Sequence, residues 1–319
     1  MDLITSGLIA GGIYLTLEGS KSLLNTLDKN IRLWNKITKL KGLEGYRIVK
    51  KEAESYGINL TIKIPIAGTV GAIEGIKEEL QKAYEGVVNI KDIPFSSKAK
   101  IEILRVVKID MDYTPIKLKG TELLIGFDYK GVPIVADMLE SPHFLLTGLS
   151  GQGKTGMLRV MIKNLLDNNN ADIVLLNGFE EDYKGFNIKQ IINQEDIKNF
   201  IGGELQGIED GKKKNKPLYI VFEELGKIKD KKLIELTTKL LQYGRHNKIY
   251  LIGVIQTATK EELKFKSLFN SRCTFKQLEE SSYRVVLGCS IDDKLQKREF
   301  YLYTNNLYRG KTYNYSFKN

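Results

Sequence analysis

Residues 148–155 read G-L-S-G-Q-G-K-T and match the pattern G-x-x-x-x-G-K-[ST] of a loop that binds phosphate groups. The apolar run at residues 143–147 precedes this loop, and a helical pattern with apolar residues on one side follows it. In such a turn, glycine lets successive backbone N–H groups converge on an anion at the positive end of the helix. The sequence therefore predicts a nucleotide phosphate site. Its predicted contacts are Gly148, Ser150, Gly151, Gln152, Gly153, Lys154 and Thr155.

Two side chains at the end of this loop have predicted roles in binding a nucleotide and its metal ion. Lys154 is predicted to neutralise the outer phosphates of a nucleotide, and the hydroxyl of Thr155 to bind Mg²⁺. The alternative is an ordinary glycine-rich turn between a strand and a helix. The strand before the loop and the helix after it favour the phosphate site.

Two acids follow a second buried strand, at residues 218–226 with the sequence L-Y-I-V-F-E-E-L-G. In a nucleotide hydrolase one acid at this edge of the sheet holds the Mg²⁺ shell and another polarises the attacking water. Glu223 and Glu224 are predicted to take these roles, in that order. The alternative is that both acids merely open a helix and interact with its dipole. A third strand, at residues 250–255, ends at Gln256, which would point at the same edge and sense the γ-phosphate.

The arrangement of apolar runs predicts an α/β fold. Short runs at residues 144–147, 172–176, 218–222 and 250–255 alternate with helical segments, which is typical of a mostly parallel sheet with crossover helices. Strand and helix patterns at residues 43–115 indicate a small α+β domain in front of it. We therefore predict a nucleotide-binding domain at residues 116–319, the small domain at 43–115, and an apolar segment with a basic amphipathic helix at 1–42.

Composition excludes several classes of protein. The chain has 319 residues, 42% of them hydrophobic, with two cysteines and two histidines that form no metal-binding spacing. The length and the cysteine count therefore exclude a disulfide-stabilised mini-protein, and the spacing of the cysteines and histidines disfavours a structural zinc site. The net charge of +10 favours a polyanionic partner such as nucleic acid or an acidic membrane surface.

The N-terminus contains an uncharged stretch at residues 3–17. A helix of this length covers about 22 Å, less than the ~30 Å hydrocarbon core of a bilayer. Asp2 precedes the stretch and lysines follow it, which disfavours a cleaved signal peptide and, if the stretch inserts, keeps the remainder cytoplasmic. Two expectations stay open: anchoring at the cytoplasmic face of the cell membrane, or a soluble cytoplasmic protein with a buried glycine-rich helix.

With these residues in place, the chain resembles the FtsK/SpoIIIE branch of the FtsK–HerA P-loop ATPases, which includes the coupling proteins of conjugative elements. The resemblance covers about residues 120–290. Four motifs occur in the order that the family has: I-G-F-D-Y-K-G-V-P-I-V-A-D from residue 125, S-P-H-F-L-L-T-G-L-S-G-Q-G-K-T from residue 141, Y-G-R-H-N-K-I-Y-L-I-G-V-I-Q-T from residue 243, and F-N-S-R-C-T-F from residue 269.

The resemblance implies a RecA-like fold, ATP as the nucleotide, and a homo-oligomeric ring of six subunits around DNA. It also implies that Arg245 is an arginine finger reaching a neighbouring subunit's ATP, and that Arg272 lies near the nucleotide or the subunit seam. The chain departs from the family at Glu223, where members have Asp. It also departs at Thr257 and Ala258, where they have Arg-Pro.

These observations predict an ATP-dependent DNA translocase for conjugative or mobile-element transfer. It would grip phosphates without reading bases, and it would feed DNA to a membrane channel if residues 3–17 insert. Three alternatives remain: a protein-secretion ATPase, a phage or plasmid packaging ATPase, and a nucleotide-gated scaffold that does not hydrolyse ATP.

Overall fold

The computed structural model describes residues 28–54, 56–105, 110–256, 259, 262–289, 291 and 295–316. The chain divides into two compact units, residues 1–107 and residues 108–319. The apolar segment predicted at residues 3–17 lies outside the described residues. Among the described helices, none is both long enough and apolar enough to cross a bilayer.

The first unit is a four-stranded antiparallel sheet with helices packed on it. Its strands lie in the order β1-β2-β4-β3. The elements in chain order are α1 (Lys29–Leu40), β1 (Arg47–Glu54), β2 (Gly57–Lys63), α2 (Val70–Glu74), α3 (Lys77–Tyr84), β3 (Val87–Asp92) and β4 (Lys98–Leu104).

Helix α1 belongs to the core of this unit. It begins after Asp28, whose carboxylate accepts a hydrogen bond from the backbone N–H of Asn30 at 2.8 Å. Trp34 is fully buried, and its indole N–H donates to the carbonyl of Tyr46 at 2.7 Å. The structure thus differs from the predicted boundary at residue 42, because an amphipathic helix buries its apolar side on the nearest uncovered sheet.

The second unit is built on one ten-stranded sheet. Its strands lie in the order β6-β5-β14-β13-β12-β7-β11-β10-β8-β9. The elements in chain order are β5 (Glu122–Phe127), β6 (Pro133–Asp137), β7 (Phe144–Thr147), α4 (Lys154–Asn168), β8 (Asp172–Leu176), α5 (Glu180–Tyr183), β9 (Lys189–Ile191), α6 (Gln194–Glu209), β10 (Leu218–Phe222), α7 (Lys231–Tyr243), β11 (Ile249–Ile255), β12 (Ser271–Thr274), α8 (Glu280–Leu287), β13 (Glu299–Tyr303) and β14 (Leu307–Lys311).

The sheet is mixed. The strands from β12 to β9 are parallel, whereas β6, β5, β14 and β13 add an antiparallel extension beside β12. The predicted α/β fold with a central parallel sheet is confirmed. The extension places the C-terminal hairpin directly beside the parallel part.

Helices cover the parallel strands on both faces, so the central strands β7, β10 and β11 are buried along their whole length. Along β7, Phe144 and Leu146 pack with α4, whereas Leu145 packs with the helices α6 and α7 on the other face. Because parallel strands β7, β10 and β11 run in the same direction, the residues that follow them meet at one edge of the sheet.

His143 fixes the start of β7. Its φ is +61°, its side chain is buried, and its Nδ1 accepts a hydrogen bond from the backbone N–H of Leu251 at 3.0 Å. Burial lowers the pKa of His143 to about 4, and the charge of nearby Arg245 adds to this effect. The imidazole is therefore neutral in the folded protein at pH 7.

We expect acid to destabilise the fold through His143. Between about pH 6.5 and pH 4 the unfolded chain binds a proton there that the folded chain does not, so the free energy of unfolding falls as the pH falls. The expected loss from this group at pH 4.5 is about 2.5 kcal/mol. Urea unfolding at pH 7 and pH 4.5 measures it. The substitution His143→Gln should remove this part of the pH dependence, and His246→Gln, at an exposed site, should not. Equal pH dependence in all three proteins would contradict the assignment.

Candidate functional site

The loop between β7 and α4 bends in a way that requires glycine. Gly148 has a φ of +142°, and a Cβ added there would lie 2.7 Å from the Cβ of Phe275. Gly153, with a φ of +126°, precedes the first residue of α4, and no side chain caps the helix there. The first backbone N–H groups of α4 are therefore available to an anion in the loop.

Two segments far away in sequence hold the loop in place. The backbone N–H of Leu149 donates to the carbonyl of Lys276 at 3.1 Å, and the backbone N–H of Arg298 donates to the carbonyl of Gln152 at 2.8 Å. Arg298 itself has a φ of +70°, and its guanidinium donates to the carboxylate of Asp110 at 2.9 Å. Arg298 was not among the predicted site residues, because no local sequence pattern marks a residue that supports the loop through a backbone hydrogen bond.

Lys154 folds back over the loop. Its ammonium donates to the carbonyls of Gly148 at 2.6 Å and Leu149 at 3.0 Å. Partial burial lowers the pKa of Lys154, and the carboxylates of Glu223 and Glu224 oppose that shift. The cation therefore lies between the loop and the two acids.

Glu223 follows β10 and is largely enclosed. The hydroxyl of Tyr183, a fully buried residue in α5, donates to its carboxylate. Burial raises the pKa of Glu223; the Tyr183 hydrogen bond opposes this rise, and nearby Asp182 and Glu224 reinforce it. The backbone carbonyl of Glu223 also accepts a hydrogen bond from the amide of Asn177 at 3.2 Å.

Glu224 lies next to Gln256, as the sequence predicts for residues that follow neighbouring parallel strands. Glu224 has a φ of +56°, which turns the chain away from β10 into a short 3-10 helix. One carboxylate oxygen accepts a hydrogen bond from the Gln256 amide, and the other pairs with the ammonium of Lys227. Lys227 is a cation of the site that the sequence analysis did not identify.

These groups line one cleft of about 770 Å³ at the carboxyl edge of the parallel strands. Of the predicted site residues, it brings together Ser150, Gly151, Gly153, Lys154, Thr155, Glu223, Glu224 and Gln256. It adds Asn177, Phe179, Asp182 and Lys227, which were not predicted. Asn177 could have been found, because it directly follows the buried strand β8 and thus ends at the same edge.

The cleft offers oxygen ligands to a hard cation. The hydroxyl of Thr155 and the carboxylates of Glu223 and Glu224 all line it. No group of three or more His, Cys, Asp or Glu forms a metal-binding cluster in the part of the chain that the structure describes. This donor set suits Mg²⁺, which usually keeps several waters and takes few protein ligands beside the phosphate oxygens of a nucleotide.

The two predicted arginines lie elsewhere. Arg245 is exposed in the turn between α7 and β11, near His143, and hence at the sheet edge opposite the cleft. Arg272 lies beside Leu145 in the sheet, and its Nε donates to the carbonyl of Phe269 at 2.9 Å. It faces the side opposite α4, because the adjacent Cys273 points towards α4. The structure therefore does not bring Arg272 to the nucleotide loop of its own chain, and a place at the subunit seam, the other position that the resemblance implies, stays a prediction.

Comparisons with known proteins agree with this geometry. The FtsK/SpoIIIE family model matches residues 110–201, which include the loop and helix α4. The DNA translocase FtsK from two strains of Leptospira interrogans is 28% identical over 150 residues. That alignment covers 44% of this chain and 16% of the translocase, so the chain spans about a sixth of the length of those relatives.

Solved structures share the fold. The pCW3 conjugation coupling protein TcpA, solved as a monomer with ATPγS, has a TM-score of 0.58 at 15% identity, over 90% of this chain and 95% of that chain. The cytoplasmic domain of the Thermomonospora curvata type VII secretion ATPase EccC has a TM-score of 0.55 at 15% identity, over 83% of this chain and 34% of that one. EssC (ATPases 2 and 3) from Geobacillus thermodenitrificans has a TM-score of 0.53 at 18% identity, over 85% and 55% of the two chains. The loop that glycine bends and the acids that follow β10 thus lie in a domain whose residues 110–201, including β7 and α4, match the FtsK/SpoIIIE family model.

Proposed function

We propose that the chain is an ATPase that uses hydrolysis to move DNA. The observation that carries the proposal is the single cleft in which Lys154, Glu224 and Gln256 meet beside the phosphate-binding loop. The resemblance to FtsK, a DNA translocase, supports DNA as the substrate, and the net charge of +10 agrees with a polyanionic track. The likeness to TcpA, a conjugation coupling protein, supports a role in DNA transfer.

The positions of these residues support one role for each in ATP hydrolysis. The backbone N–H groups at the start of α4 and the ammonium of Lys154 bind the phosphates. When a nucleotide binds, Lys154 gives up its hydrogen bonds to the carbonyls of Gly148 and Leu149 and donates to the phosphates instead. Glu224 orients the attacking water. Gln256 donates a hydrogen bond to Glu224 and senses the γ-phosphate, so it couples the presence of that phosphate to the position of Glu224. Thr155 and Glu223 would hold Mg²⁺, which supplies charge neutralisation to the phosphates when bound.

The position of Arg245 supports a ring. An exposed arginine at the sheet edge opposite its own cleft serves no nucleotide in the same chain, but it is available to the cleft of a second copy. We propose a homo-oligomer, six subunits around DNA, in which Arg245 completes the neighbouring site. Such a ring would lie at the cytoplasmic face of the cell membrane if residues 3–17 insert, and would be soluble in the cytoplasm if they do not.

DNA-stimulated turnover tests the proposal. ATP hydrolysis by the full chain is measured with and without duplex and single-stranded DNA of random sequence, at several salt concentrations. A stimulation of at least about tenfold that weakens with salt is expected, because phosphate contacts release counterions. A rate of hydrolysis that DNA does not change, but that a polypeptide substrate raises, would instead favour a secretion ATPase, the activity named for EccC.

Tyr183 should matter for the use of Mg²⁺ by this site. Tyr183→Phe keeps the buried ring but removes the hydroxyl that holds the Glu223 carboxylate. We expect the Mg²⁺ concentration for half-maximal hydrolysis to rise about five- to tenfold, since one charge-assisted hydrogen bond positions this ligand. Tyr219→Phe is the matched control, because that buried hydroxyl donates to the carbonyl of Gly120 at 2.9 Å, away from the cleft. Equal Mg²⁺ dependence in both variants would show that Tyr183 does not position Glu223.

A further inference from the structure

The first unit has two fully exposed apolar side chains at one end of its sheet. Ile66 lies in the loop after β2, and Phe95 lies at the tip of the hairpin between β3 and β4. The two loops are neighbours, because the backbone N–H of Ile64 donates to the carbonyl of Ser97 at 2.8 Å. We call Ile66 and Phe95 the apolar tips. Burying a large apolar side chain stabilises a fold, so the folding of this unit does not explain why both are left in water.

Three cations lie directly behind the apolar tips. Arg47, Lys63 and Lys98 oppose one another across β1, β2 and β4 and therefore share one face of the sheet. All three are exposed, and no carboxylate pairs with any of them among the residues that the structure describes. We call these residues the cation row. Like charges directly opposite each other destabilise a sheet, so the row also costs the fold free energy.

The next cations along the same face differ from the row. Lys50 pairs with Glu52 at 2.7 Å, and Lys91 and Lys100 both pair with Glu102, at 3.6 and 3.7 Å. The lysines of this face that lie further from the apolar tips are therefore paired with carboxylates. The cations nearest the apolar tips are not. This contrast indicates an anionic partner at the end of the sheet.

Acids near this end do not cancel the row. Asp92 opposes Ala99, a core residue, and therefore points to the helix-covered face. Glu44 is exposed in the turn before β1 and carries one negative charge. The cation row carries three positive charges, so the net charge at this end of the sheet stays positive.

The spacing of these groups matches the depth of a lipid headgroup layer. Ile66 lies three positions after Lys63, and Phe95 lies three positions before Lys98, so each tip lies at most about 10 Å ahead of the row. An interfacial element buries its apolar residues about 5–10 Å into the headgroup and acyl boundary, with its cations at the level of the lipid phosphates. A DNA duplex would engage the cation row but would leave Ile66 in water.

We propose that this end of the first unit docks on an anionic lipid surface, with the apolar tips entering the headgroup layer and the cation row binding lipid phosphates. This docking does not depend on residues 3–17 or on ATP hydrolysis. It would hold the chain against a membrane surface without a spanning helix.

Vesicle binding by the full chain tests the docking. Sedimentation is measured with vesicles of phosphatidylcholine alone and with equal parts of phosphatidylcholine and phosphatidylglycerol. Wild type should bind the anionic vesicles at least about tenfold more tightly. The variant Ile66→Ser with Phe95→Ser should bind them at least about tenfold more weakly, and so should Arg47→Gln with Lys63→Gln and Lys98→Gln.

Matched controls separate this surface from general charge and apolarity. Lys36→Gln with Lys39→Gln and Lys82→Gln removes the same charge from exposed helical positions of the same unit, and Leu278→Ser removes an exposed leucine of the second unit. Both controls should bind within about twofold of wild type. As a direct probe, tryptophan fluorescence of Phe95→Trp should be quenched by brominated lipid, whereas the buried Trp34 of wild type should not respond.

Two results of the vesicle measurements would overturn the docking proposal. Wild-type affinity of the apolar-tip variant for anionic vesicles would overturn the proposal, as would equal wild-type binding to both kinds of vesicle. Loss of duplex DNA binding by the cation-row variant with unchanged vesicle binding would reassign the row to nucleic acid. None of these results bears on the ATPase proposal, which is measured separately by turnover.

Discussion

Lys154→Ala is expected to lower ATP turnover about 1000-fold. Lys154 is the cation that lies between the phosphate-binding loop and the two acids, and its removal leaves the developing charge on the phosphates without its main side-chain partner. The loop itself should persist, because Leu149 and Gln152 are held by backbone hydrogen bonds to Lys276 and Arg298. Steady-state hydrolysis and nucleotide binding, measured together, test this expectation.

Lys163→Ala is the control for this variant. Lys163 lies on the same helix but pairs with Asp167, away from the cleft. Its turnover should stay near that of wild type. Turnover by Lys154→Ala at more than a tenth of the wild-type rate would contradict a catalytic role for this cleft.

Glu224→Gln is expected to separate binding from hydrolysis. The substitution keeps the size of the side chain but removes the carboxylate that orients the attacking water. We expect turnover to fall at least about 100-fold while the nucleotide still binds, because Lys154 and the start of α4 are untouched. The measurement pairs single-turnover hydrolysis with equilibrium binding of ATP.

Glu235→Gln provides the matched control, since Glu235 pairs with Lys232 and Lys239 on the exposed side of α7. This control should hydrolyse ATP at the wild-type rate. A wild type that is no faster than Glu224→Gln would show that the chain is a nucleotide-gated scaffold and not a motor.

Much of the cleft could be predicted from short stretches of sequence. The glycines, Lys154 and Thr155 form a local pattern, and Glu223, Glu224 and Gln256 each follow an apolar strand. Since parallel strands of one sheet end at a common edge, strand-end residues far apart in sequence are expected to meet there. The described structure brings these groups to one cleft in this way.

Other features of the cleft could not be predicted, because they depend on packing between distant segments. Tyr183 is 40 residues from Glu223, and nothing in α5 marks its hydroxyl as a partner of that carboxylate. Lys227 lies close to Glu224 in sequence, but a lysine three residues after an acid is typical of solvated surfaces as well as of sites.

The sequence by itself determined the α/β class, the phosphate-binding loop and the acids that face it, because apolar periodicity and glycine-rich turns are properties of neighbouring residues. Only the tertiary structure decided that α1 packs into the small unit, that Arg272 faces away from the loop, and that Arg47, Lys63 and Lys98 form one row. Strand register and the choice of which helix covers which face arise from contacts between distant residues. Free energies of burial and pairing over the whole sheet fix those contacts, and no local stretch of sequence contains them.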